Sequence, residues 1–204
     1  MSELGRRGVH ASGIGIPALY LLGLVDWPQV RLLLVGLSVA VSVLEFVRLV
    51  LDYEWPLFDT LAREYERENV AGYALYAYSQ VAVALVFGPV AALPGMLMLT
   101  IGDPVSGYLG SNDAGTAKQA GVLGVMFLVC FALAAPFTTA VAALPVGLAA
   151  AAAGAAGATL ADGFKPVIAG YVVDDNASIP PAAALGIAAV FAVAGPGLNA
   201  VLGI

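Results

Sequence analysis

The residues able to do chemistry are confined to a few short stretches. Asp103 closes the apolar run "MLMLTIG" and is followed by Pro104, the glycines Gly107, Gly110 and Gly115, and then Lys118. Together with Gly102, these glycines let backbone N–H groups approach an anion closely. Lys118, fifteen residues beyond the aspartate, suits a bound phosphate, and the carboxylate suits Mg2+. Pro104 is expected to end the helix there. A plain polar hairpin between helices would favour the same residues, and the Walker A pattern GxxxxGK[ST] is absent. Farther on, "VVDDNASIP" sets Asp174, Asp175 and Asn176 before a helix expected to start near Pro180. Two adjacent carboxylates and an amide suit a hard cation, and would equally make a solvated turn with a helix cap. Asp162 and Lys165 stand three apart on the same rim.

Glu45 and Arg48 lie inside the apolar "VSVLEFVRLVLDY", three residues apart and so on one helical face. An ionisable residue within a span marks a functional site by default, although the two could simply pair and snorkel to the surface. In "LAREYEREN", Arg63 and Arg67 are one turn apart among Glu64, Glu66 and Glu68. Such a run is ordinarily a solvated helix face, but two like charges at this spacing also leave room for an anion. His10, at the mouth of the first apolar run, could act as a general base or sit at the interface as a bystander.

The elements that must position these groups are membrane helices. Hydrophobic residues make up 61% of the 204, charged residues only 11%, and mean hydropathy is +0.93. A soluble domain carries about a quarter charged residues, so the composition is that of a single integral membrane domain, residues 1–204. The net charge of −6 argues against a nucleic-acid partner. Few lysines among many acidic residues, with abundant Ala, Gly and Val, point to an archaeal or other prokaryotic source. Cys130, the only cysteine, lies in an apolar run, so no intrachain disulfide forms and the thiol is a packing residue.

Apolar runs near the length needed to cross a bilayer recur about seven times: His10–Val25, Gln29–Leu51, Gly72–Phe87, Val90–Ile101, Gln119–Pro136, Thr139–Ala161 and Pro180–Leu202. The fourth is short unless it continues to Tyr108. An all-α bundle follows, because backbone polar groups in lipid must be satisfied within each segment. With the N-terminus in the cytoplasm, Arg6, Arg7, Arg48, Arg63, Arg67, Lys118 and Lys165 all fall on or beside cytoplasmic segments and only Arg31 falls outside. The outer connections are then "DWPQ", "GPVAALPG" and "APFT", and polar chemistry faces the cytoplasm. The segment "DYEWPLFDTLAREYERENVAG" is expected to hold an amphipathic interfacial helix. The run "GLAAAAAGAAGATLADG" is expected inside the bundle, where Gly154 and Gly157 allow close helix packing.

Read in order, "RRGVH", "EFVR", "REYERENVAGYALY", "IGDPVSGYLGSNDAGTAKQ", "GATLADG" and "DDNASIP" resemble the dolichol kinase, phytol kinase and CTP-dependent diacylglycerol kinase family. The likeness spans most of the chain. The departures are Arg7 where the family has lysine, Gln119-Ala120-Gly121 where it has Ser-x-Glu-Gly-Ser after its lysine, and Asp162 in place of a glutamate. The resemblance implies phosphoryl transfer from a nucleoside triphosphate, typically CTP, to the hydroxyl of a lipid alcohol in the cell membrane. On that reading Asp103 and Asp175 hold Mg2+ or triphosphate. Lys118 and Arg63 or Arg67 bind phosphate, with Arg48 nearby; Asn176 orients a ligand, and Glu45 or His10 receives the hydroxyl proton.

Two rival readings remain. A CTP:phospholipid cytidylyltransferase would transfer CMP and release pyrophosphate, but its Lys-Arg-x-x-x-x-Lys-Asp and His-Gly-Gly signatures do not occur. A small transporter or scaffold would also tolerate charge within a span, although here the charges gather on one face.

Overall fold

The computed structural model describes residues 13–53, 66, 69–110, 117–168, 171–194 and 198–203. These residues are almost wholly helical. Helix α1 (Gly15–Leu21) leads to α2 (Trp27–Leu49), α3 (Gly72–Val86) and α4 (Pro89–Leu97), which runs through a π turn (Met98–Gly102) into α5 (Asp103–Leu109). Helices α6 (Ala120–Thr139), α7 (Leu144–Gly163), α8 (Asp175–Ala194) and α9 (Leu198–Leu202) follow. A two-residue antiparallel ladder, β1 (Val167–Ile168) with β2 (Tyr171–Val172), lies between α7 and α8.

Among the described residues, five helices are long and apolar enough to cross a membrane: Trp27–Leu49, Pro89–Leu109, Ala120–Thr139, Leu144–Gly163 and Asp175–Ala194. Of the other two expected spans, Gly72–Val86 forms a shorter apolar helix. Within His10–Val25 only Gly15–Leu21 is α-helical among the described residues. The exterior is apolar, with Leu22, Leu32, Val39, Leu128 and Val193 exposed, whereas Lys118, Asp162 and Asp175 are buried. That inversion of the water-soluble pattern suits a hydrocarbon surround.

Helix α4 lies at the centre, with every residue from Ala91 to Leu97 buried. Helix α7 runs between α6 and α8, while α3 joins α8 to the outlying α2. The α7–α8 contact rests on the expected small residues. A β-carbon at Gly157 would come within 2.5 Å of Ala182 O, and one at Gly186 within 2.6 Å of Ala153 O. Gly154 packs on Ile187 in the same seam, so this glycine pair serves internal packing.

Proline does not punctuate these helices. "GPVAALPG" and "APFT" were expected as connections, but Pro94 and Pro136 lie inside α4 and α6. Near Pro136 the hydroxyls of Thr138 and Thr139 donate back to Ala134 O and Ala135 O in the last turn of α6. Helix α8 likewise begins at Asp175 and not near Pro180. Pro180 has no N–H to offer Asn176 O four residues back, and Ser79 on α3 donates its hydroxyl to that carbonyl instead, at 2.6 Å. A β-carbon at Gly95 would lie 2.8 Å from Pro180 O, so α4 and α8 are in near-backbone contact there.

Pro104 does not end its helix either. One extra residue is accommodated in the turn ahead of it, and Asp103 N donates to Met98 O, five residues back. This opens the ladder where a proline has nothing to donate and where its ring would strike the Thr100 carbonyl. The fourth span therefore continues to Leu109.

Candidate functional site

The carboxylates of Asp103, Asp162 and Asp175 converge, one oxygen from each lying within 4.8 Å of the others. They arrive from separate elements: Asp103 from the start of α5, Asp162 from the end of α7, Asp175 from the start of α8. Two lysines accompany them. Lys118 Nζ lies 2.7 Å from Asp162 Oδ1 and donates to Ser106 Oγ at 2.8 Å. Ser106 in turn donates to Asp162 Oδ2 at 2.5 Å. Lys165 Nζ sits 2.5 Å from Asp175 Oδ2, an ion pair by distance whose angles fall outside hydrogen-bond geometry. Lys118 is held in place because its own N–H donates to Gly163 O, tying the start of α6 to the end of α7.

Burial raises the stakes of these contacts. Asp162 is 1% exposed, Asp175 2% and Lys118 6%, and a desolvated charge is tolerated only when it is paired and hydrogen-bonded. Asp174 Oδ1 accepts from the backbone N–H and the Nδ2 of Asn176, at 2.9 and 2.6 Å, which fixes the turn that launches α8. Asn176 Oδ1 is buried with no hydrogen-bond partner among the described residues.

The oxygen-only donor set fits Mg2+, which takes hard ligands at about 2.1 Å and so places facing ligands about 4.2 Å apart. Two ammonium groups against three carboxylates leave a net negative centre that a divalent cation would neutralise. The orphaned Asn176 oxygen, beside Asp175 in the chain, is a further acceptor of the same hard type. The residues present fit the ion.

Of the residues singled out in the sequence, the structure brings Asp103, Lys118, Asp175 and Asn176 into one region. They part over the glycines. Gly102 ends the π turn and Gly107 lies within α5, so neither belongs to an anion-cradling loop. Gly102 is small because Met126 and Cys130 of α6 pack on it, each about 3.1–3.2 Å from where a β-carbon would stand. Gly110 caps α5 in extended geometry, against Val122. His10, Arg63, Arg67 and Gly115, with residues 54–65, 67 and 68 of the amphipathic segment, lie outside the described residues.

Glu45 and Arg48 form a separate clamp. Arg48 Nε and Nη2 donate to the two Glu45 oxygens at 3.0 and 2.7 Å. Ala71 N and the Tyr73 hydroxyl donate to the same carboxylate. Arg48 also reaches Glu66 O at 3.0 Å and Asn69 O at 2.5 Å. Four donors occupy Glu45, so the carboxylate is a tie between α2 and the chain entering α3, not an open base. We expect Glu45→Gln to lower thermal stability in detergent by about 1–3 kcal/mol, since Arg48 would lose its charged partner while still buried. A melting midpoint unchanged from wild type would count against the clamp.

Residues that the sequence reading passed over complete the site. Ser106 is one helical turn beyond Asp103, a spacing visible only if the helix is carried through Pro104. Asp162 and Lys165, three apart on one rim in the sequence, pair with Lys118 and Asp175, which that spacing does not name. Glu66, read as part of a solvated run, is buried. Its Oε1 would lie 3.3 Å from a β-carbon at Gly72, where Asn176 Nδ2 would lie 3.0 Å away. The Glu45–Arg48 clamp therefore brings a further carboxylate to the start of α8.

Comparison of the chain with protein-family models, with curated proteins and with solved structures gave no match.

Proposed function

We propose that this chain is a multi-pass membrane kinase with its N-terminus and its site on the cytoplasmic side. It transfers the γ-phosphoryl group of a nucleoside triphosphate, CTP being the donor the resemblance implies, to the hydroxyl of an isoprenoid alcohol. One observation carries the reading: Asp103, Lys118, Asp162, Lys165 and Asp175, from distant parts of the chain, meet at the ends of apolar helices. Carboxylates with paired ammonium groups are what binding a metal-complexed triphosphate requires, and phosphoryl transfer asks the protein mainly for positioning and charge neutralisation.

Asp103, Asp162 and Asp175 would hold Mg2+, which when bound offsets charge on the β- and γ-phosphate oxygens. Lys118 and Lys165 donate to those oxygens, exchanging part of their carboxylate contact for phosphate. Ser106 keeps Asp162 and Lys118 in register while that exchange occurs. A carboxylate of the cluster takes the hydroxyl proton as the oxygen bonds to phosphorus and the nucleoside diphosphate leaves. Glu45, saturated by its clamp, is given no part in the transfer.

The test is turnover of [γ-32P]CTP by the purified protein in detergent with Mg2+ and a panel of polyprenols, short isoprenols and diacylglycerol. Label is expected in one organic-phase alcohol. Release of pyrophosphate with a phospholipid acceptor would identify a cytidylyltransferase instead. Neither product, with solute flux in proteoliposomes, would identify a transporter.

A further inference from the structure

A polar seam leads from the carboxylate cluster into the bundle. On α3, Tyr76, Ser79 and Gln80 occupy one side over little more than a turn. The Tyr76 hydroxyl is 2.8 Å from Thr100 Oγ1. Thr100 spends its own proton on Met96 O, so Tyr76 is the donor. Ser79 donates to Asn176 O. Gln80 is 2% exposed, and neither its Nε2 nor its Oε1 makes a hydrogen bond among the described residues. The Tyr76 hydroxyl stands beside the amide but outside hydrogen-bonding geometry. Both ends of the seam adjoin the cluster: Thr100 is three residues ahead of Asp103, and Asn176 follows Asp175.

A buried primary amide with neither atom in a hydrogen bond is costly and uncommon, even beside the Tyr76 hydroxyl, so it calls for a partner. The amide presents a donor and an acceptor on neighbouring atoms. A phosphate only accepts, a cation only takes oxygen, and an ester or ether only accepts. A hydroxyl does both. We infer that Gln80 holds the hydroxyl of the alcohol acceptor, one turn inward from the Tyr76–Thr100 pair, with its oxygen directed toward the Asp103–Asp162–Asp175 cluster. This assignment rests on the lipid-alcohol kinase reading.

The test uses the purified full chain in detergent, without nucleotide, and compares geranylgeraniol with its methyl ether. The alcohol is expected to raise the melting midpoint of the wild type and the ether is not, while Gln80→Met, of nearly equal size, loses the difference. With CTP present, Gln80→Met is expected to raise KM for the alcohol about tenfold or more and leave KM for CTP unchanged. Gln80→Leu serves as a second variant, and the wild-type alcohol-to-ether comparison stands without either. Equal shifts by alcohol and ether, or an alcohol-specific shift that persists in Gln80→Met, would overturn the assignment and leave water as the partner of Gln80. An alcohol-specific shift lost in Gln80→Met, in a protein that transfers no label, would keep the subsite and remove the kinase. Label transfer with an unchanged alcohol KM in Gln80→Met would do the reverse.

Discussion

Asp103→Asn is expected to cut phosphoryl transfer about 10³-fold while leaving the melting midpoint within a few degrees of wild type. The amide matches the carboxylate in volume and keeps an acceptor at the head of α5, so the π turn and Pro104 have no new strain to absorb. What disappears is one negative charge of the three that converge within 4.8 Å. Losing a charge from a site that offsets developing transition-state charge is worth about 10²–10³ in rate, and weaker retention of Mg2+ adds to it. The check is label transfer from [γ-32P]CTP across a Mg2+ titration. A raised Mg2+ requirement with low turnover at saturation is the expected pattern. Full turnover at saturating Mg2+ would remove Asp103 from the metal role and with it much of the case for the cluster.

The largest effect on stability is expected at the Lys118–Asp162 pair. Asp162→Ala strands a lysine ammonium that is almost completely buried and takes from Ser106 the oxygen it donates to. Breaking a buried pair from one side costs about 3–5 kcal/mol, roughly a 10 °C fall in melting midpoint for a chain of this size. Removing both partners should be far milder. Lys118→Met with Asp162→Leu exchanges two desolvated charges for apolar bulk, a swap often neutral or better for stability. The double variant is therefore expected to melt near wild type and to transfer no label. This contrast separates a scaffold role from a chemical one, because a merely structural pair would give back activity along with stability. Thermal melts of the single and double variants, followed by loss of the monodisperse detergent-solubilised peak, read the first half, and label transfer reads the second.

Local signals in the sequence carried some of this architecture and not the rest. Glu45 and Arg48 pair as their three-residue spacing requires, because both partners lie on one helix. The Ala/Gly run of α7 packs as closely as its composition demands. Asp103, Lys118 and Asp175 could be picked out because charge beside an apolar run is conspicuous. Which groups pair could not be read. Lys118 meets a carboxylate 44 residues away, and nothing in local periodicity encodes that distance. The helix boundaries at proline failed for a related reason. The carbonyl that Pro180 leaves open is satisfied by Ser79, on another helix and 97 residues distant. A proline ends a helix when the freed groups have no other partner, and here tertiary contacts supply one. Glu66 reads as a surface charge because its neighbours are charged, whereas in the fold Arg48 donates to its backbone carbonyl and its side chain is buried.

The π turn between Leu97 and Asp103 has a consequence for how this chain can vary. An added residue within a helix turns everything after it by about 100°. The wholly buried apolar residues of α4 and the polar residues Asp103 and Ser106 of α5 are thus two helical frames joined out of phase. Deleting any one residue from Met98 to Gly102 would return the chain to ordinary helical register and set the Pro104 ring against the carbonyl four residues back. It would also swing Asp103 and Ser106 about a quarter-turn away from Asp162 and Asp175. The count of residues across those five positions is therefore constrained more tightly than their identity, and a lineage could exchange the side chains there far more freely than it could gain or lose one.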